Sequence, residues 1–127
     1  MSPEVSCYLA ATETAPASAR SFLAKALELW DLDDVEAVDV LTSELVSNVV
    51  RHVGGQMLLR IMWEPPTLRV EVEDEASDLP RLRWTGAMSD GGRGLRIIEC
   101  LATQWGTRPS RTGKTVWIET TVEPRSC

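Results

Sequence analysis

Apolar residues recur along this chain with two different periods. Between positions 16 and 30, Phe22, Leu23, Ala26, Leu27 and Trp30 fall three and four apart, the spacing of one helix face, and Pro16 sits where a helix would begin. "DLDD" at 31–34 interrupts that pattern and offers carboxylates to cap a second helix. The second helix is expected from about Val35 to Val53, with Val38, Leu41, Leu45 and Val49 as its apolar stripe and Gly54-Gly55 as its end. Residues 57–63 and 67–74 flank Pro65-Pro66 and read as a hairpin. In its second strand Leu68, Val70 and Val72 alternate with Arg69, Glu71 and Glu73.

The rest of the chain is read the same way. "SCYLAATE" (6–13) is a first strand. From Glu75 to Gly92 periodicity dissolves into an unusually long connection, the kind that often serves as a lid or binding segment. A third helix is expected from about Arg93 to Thr103, with Leu95, Ile98 and Leu101 inward. "TQWGTRP" and "GKTVWIETTVE" form a final strand pair, and the tail after about residue 122 frays. The order β-α-α-β-β-loop-α-β-β predicts an α/β two-layer sandwich. Its sheet is mixed but mostly antiparallel and its helices lie on one face, leaving the other face open or used in a dimer.

Length and composition narrow the classes. At 127 residues the chain suits one domain, 1–127, and its 43% hydrophobic content can fill a core. The net charge of −6 and the scattered basic residues argue against direct nucleic-acid binding. The sequence offers neither an apolar run of membrane-spanning length nor a signal-peptide pattern, and Cys7, Cys100 and Cys127 read as reduced cytoplasmic thiols. His52 and the dispersed cysteines lack the spacing of a structural zinc site.

Three constellations carry candidate chemistry. In "ELVSN", Glu44 and Asn48 stand one helical turn apart beside the apolar stripe. They offer a base and a hard oxygen ligand for Mg²⁺, although taken alone the pair also reads as an ordinary helix edge. In "VEVEDEASDLP", Asp74 shares the parity of Leu68, Val70 and Val72. If the strand stays regular, its carboxylate turns inward and needs donors, which a ligand amino group could supply. If the strand ends at Glu73, Asp74 starts a turn. In "GGRGLRII", Gly91, Gly92 and Gly94 precede a helix whose first amides lack partners and carry the positive end of its dipole, a setting that suits phosphate and also an ordinary turn.

The order of these elements, with Thr115 of "GKTVW" in the last strand, resembles the Bergerat-fold ATPases, the superfamily of gyrase and the histidine kinases. "ELVSN" resembles the N-box, "DEASDLP" stands in place of the adenine box, and "GGRGL" is similar to the glycine box. Nearly the whole chain is covered, and its small size and short lid look most like the anti-sigma-factor serine kinases. The resemblance implies ATP and Mg²⁺ as cofactors, with Asn48 holding Mg²⁺ and Glu44 acting as base on a serine hydroxyl. It implies that Asp74 accepts from the adenine amino group, aided through water by Thr115, with Ala76 beside the base. Gly92 and Gly94 would bring amides to the phosphates and Arg93 would reach a phosphate oxygen. The implied partners are a sigma factor and an antagonist protein, the substrate.

The sequence departs from that pattern where the adenine box usually reads D-x-G-x-G. Ala76 adds a methyl group where backbone approaches the base, and Asp78 adds negative charge near an anionic ligand. Those departures favour the alternative, a degenerate module that sequesters a partner without kinase activity. Retention of Glu44 and Asn48 favours the enzyme.

Overall fold

The computed structural model describes residues 3–33, 35–75 and 93–123, without the side chains of residues 93–95. Strand β1 (Glu4–Ala10) leads into helix α1 (Ala15–Leu29) and helix α2 (Glu36–His52). Strands β2 (Gln56–Glu64) and β3 (Thr67–Asp74) follow, then helix α3 (Arg93–Leu101) and strands β4 (Gln104–Pro109) and β5 (Lys114–Thr121). The strands form one sheet in the order β1-β2-β3-β5-β4. Every neighbouring pair is antiparallel, so the described sheet has no parallel component.

One face of this sheet is apolar because side chains alternate along each strand. Leu59, Ile61, Val70, Val72, Val116 and Ile118 are all buried. They share a core with Leu23 and Leu27 of α1, the predicted stripe Val38, Leu41, Leu45 and Val49 of α2, and Ile98 of α3. All three helices therefore cover the same face, giving the two-layer α/β architecture. Pro16 lies in the first turn of α1, where its missing N–H has no helical partner to lose. Gly54 and Gly55, at φ of +84° and +73°, turn the chain from α2 into β2.

Two local expectations are corrected. The N-cap residue of α2 is Val35, in extended conformation and without a side-chain cap hydrogen bond, and not one of the "DLDD" carboxylates; Asp34 lies outside the described residues. Tertiary burial of the α2 stripe, rather than a cap, holds that end. Leu101, expected inward, is 37% exposed because α3 ends there and the chain turns out to β4.

The outer face carries charge. Glu71 lies on the side opposite Leu68, Val70 and Val72, as the alternation predicts, yet is only 5% exposed because three arginines close over it. Arg69 Nε donates to it at 2.7 Å, Arg60 Nε at 3.1 Å, and Arg108 donates through Nη2 at 3.1 Å and Nη1 at 3.3 Å. Burial alone pushes the Glu71 carboxyl up, but hydrogen bonds from Arg108, Arg69 and Arg60 outweigh it and hold the carboxyl below its ordinary range. Arg69 also donates to Glu119 at 2.8 Å and lies 4.1 Å over the Trp117 ring. That ring packs closely on Gly106 of β4, where a Cβ would stand 2.7 Å from Trp117 Cζ2.

Candidate functional site

The end of α2 and the adjoining ends of β3 and β5 enclose a small cavity. Leu45, Val49 and Val53 of the α2 segment and Val72 and Val116 of the sheet give it apolar walls. Its polar lining is Asn48, His52, Asp74 and Lys114. The cavity holds about 10 Å³, roughly the room of one water.

Asp74 is there because β3 stays regular to its last residue. The inward series Leu68, Val70 and Val72 runs on to Asp74, which is 1% exposed. Of the two alternatives open in the sequence, the continuous strand is the one observed. A carboxylate so placed needs strong donors. One is the Lys114 ammonium, which hydrogen-bonds Asp74 Oδ2. Lys114 is paired with Asp74 in the β3–β5 register and is 4% exposed.

Thr115 is not brought to this cavity. Its register partner is Glu73, so it belongs to the outer face with Glu71 and Trp117. The expected Thr115–Asp74 grouping is corrected by the two-residue period of a strand, which puts adjacent residues on opposite faces. The residue sharing the Asp74 side is Lys114. Its signal was present in the sequence: counting back from the inward Ile118 and Val116 reaches Lys114.

Glu44 and Asn48 sit together on α2, and Arg51 joins them. Arg51 Nη2 donates to Asn48 Oδ1 at 3.0 Å and to Glu44 Oε1 at 3.4 Å. The guanidinium is a cation standing between two hard oxygens, which is the environment a divalent metal would also meet. Asn48 is nearly buried, and its Nδ2 has no hydrogen-bond partner among the described residues. An unsatisfied buried amide has a cost that a ligand acceptor would relieve. Among the described residues no three His, Cys, Asp or Glu side chains cluster as a metal site. The donor set fits Mg²⁺ only in its usual nucleotide form, where one or two protein oxygens are supplemented by phosphate and water.

Arg93 and Gly94 are the first residues of α3, so the glycine-rich stretch does lead into a helix that packs against α2. Ala76, Asp78 and Gly92 lie outside the described residues, as does the side chain of Arg93. Away from this cavity, burial pushes the Cys7 thiol up, which leaves it a poor nucleophile. No helix among the described residues is long and apolar enough to cross a membrane.

The family model described as "Histidine kinase-like ATPase domain" matches residues 9–120. That span runs from β1 to β5 and includes every candidate residue above. No curated protein matches the chain.

Proposed function

The chain belongs to the histidine kinase-like ATPase domain family, and from that premise we propose that it is a cytoplasmic ATP-binding regulator that phosphorylates a serine or threonine of an antagonist protein and binds a sigma factor. One observation carries this reading: Asn48 and Asp74, far apart in sequence, line the same cavity, with Glu44 one turn along α2. In this reading the adenine amino group donates to Asp74. The apolar walls from α2 and the sheet would take the purine faces, which requires the cavity to widen from its present volume of about 10 Å³. Asn48 Oδ1, which now accepts from Arg51, would be the protein oxygen that holds Mg²⁺. Bound Mg²⁺ supplies charge neutralisation for phosphoryl transfer. Released from Arg51, the Glu44 carboxylate takes the proton of the acceptor hydroxyl as its oxygen bonds to the γ-phosphorus, while the bond from that phosphorus to the β,γ-bridging oxygen breaks and ADP leaves. Amides at Gly92 and Gly94, with Arg93, hold the phosphates at the entry to α3. Thr115 has no part here because it lies on the other sheet face.

The test is phosphate transfer from radiolabelled ATP to candidate antagonist proteins, run beside ATP titration. Glu44→Gln should bind Mg-ATP nearly as well as the parent chain and transfer on the order of 10²–10⁴-fold more slowly, the contribution of a general base. Transfer at the parent rate would remove Glu44 from the chemistry. A second reading, a partner-sequestering module without catalysis, is favoured by the small volume of the cavity and the Lys114 ammonium already bound to Asp74.

A further inference from the structure

Among the described residues, Lys114 is the charged group of the cavity that the proposed function leaves without a role. Its ammonium has three N–H donors. Among the described residues only one acceptor is found for them, Asp74 Oδ2. At 4% exposure the remaining donors have little water to turn to. Stability does not explain the choice, since a buried ion pair is often no better than a well-packed apolar pair. An aliphatic residue would continue the inward series of Val116 and Ile118 without any desolvation cost.

We propose that Lys114 is a specificity-determining residue that reads the nucleobase together with Asp74. This inference rests on the ATP-binding reading. The pair presents an acceptor beside a donor at the end of an apolar cavity. The complementary ligand edge carries an N–H beside a ring acceptor. In adenine these are the N6 amino group and N1, so Asp74 accepts from N6 while Lys114 donates to N1. The carboxylate retains lone pairs for this while still holding the ammonium, since each oxygen can accept more than one hydrogen bond. Guanine offers related chemistry, with N1–H beside O6, and is distinguished by experiment. Reading two adjacent atoms gives more discrimination than a carboxylate alone, because an ammonium left facing a carbon loses a charged hydrogen bond.

The experiment is calorimetry of the full chain with Mg-ATP, Mg-GTP and 1-deaza-ATP, in which a C–H replaces the N1 acceptor. The parent chain should bind 1-deaza-ATP on the order of tenfold or more weakly than ATP, the loss of one charged hydrogen bond. Lys114→Met should bind ATP weakly by a similar factor and should not distinguish ATP from the analogue. The analogue series on the parent chain stands even if Lys114→Met does not fold. Equal affinity of the parent chain for ATP and 1-deaza-ATP would overturn the inference while leaving ATP binding intact. Tighter ATP binding by Lys114→Met would also overturn it, showing that the lysine competes with the base for Asp74. Preference for GTP would overturn the assignment to adenine. If the parent chain binds none of the three, the ATP reading fails and this inference falls with it.

Discussion

Glu71→Gln tests whether the outer-face network contributes to stability. The glutamine keeps one carbonyl acceptor and turns an amide donor toward guanidinium groups that can only donate. Removing one partner of a fully buried pair costs about 3–5 kcal/mol. Here the Arg60, Arg69 and Arg108 side chains are 22%, 25% and 45% exposed, so water recovers part of that loss. Arg60 also keeps Glu73 at 3.3 Å and Arg69 keeps Glu119 at 2.8 Å. A cost of about 2–3 kcal/mol at neutral pH follows from that discount. With an unfolding entropy of about 2.1 cal/mol/K per residue, 127 residues convert it to a Tm fall of about 7–11 °C. The Glu71 carboxyl is held below its unfolded value, so its contribution is complete above the unfolded pKa of about 4.3. The contribution is lost as pH falls through the lower folded value. Urea unfolding of both proteins across that range should show a constant gap from neutral pH to about 4.3 that closes on further acidification. A variant within about 0.5 kcal/mol of the parent at neutral pH would refute the reasoning, since that is the effect of an ordinary surface substitution. So would a gap that widens in acid.

Two further outcomes are expected. Gly106→Ala sets a methyl group against the Trp117 ring, and urea unfolding should show a loss of about 1–3 kcal/mol from overpacking; unchanged stability would mean that the ring moves freely. Asn48→Ala should lose the Mg²⁺ dependence of ATP binding and phosphate transfer together, measured by titration with and without Mg²⁺, and an unchanged Mg²⁺ effect would place the metal elsewhere.

The fold was largely legible because its core residues obey simple periods. The stripe Val38, Leu41, Leu45 and Val49 is buried as the helical spacing predicts. The alternation left Asp74 either inward or at the start of a turn, and the strand that stays regular to its last residue takes the inward alternative. What was missed or left unread depended on neighbours distant in sequence. The burial of Glu71 follows from Arg60, Arg69 and Arg108 meeting it across three strands, which no single strand reveals. Thr115 drew attention as a motif letter, whereas register gives its neighbour Lys114 the inward place opposite Asp74. Helix ends were less legible still, as Leu101 and the uncapped start of α2 show, because both are decided by packing and not by local preference.

The central claim is that the cavity at Asp74 receives ATP, and calorimetric titration of the parent chain and Asp74→Asn with Mg-ATP tests it most directly. The substitution removes an acceptor for the base and also the carboxylate partner of the buried Lys114 ammonium, so urea unfolding must first show a folded variant. The account predicts saturable, Mg²⁺-dependent binding to the parent chain and a loss on the order of tenfold or more in Asp74→Asn, the worth of a charged hydrogen bond. Equal ATP affinity in the two folded proteins, or no heat from the parent chain at high protein concentration, would contradict it.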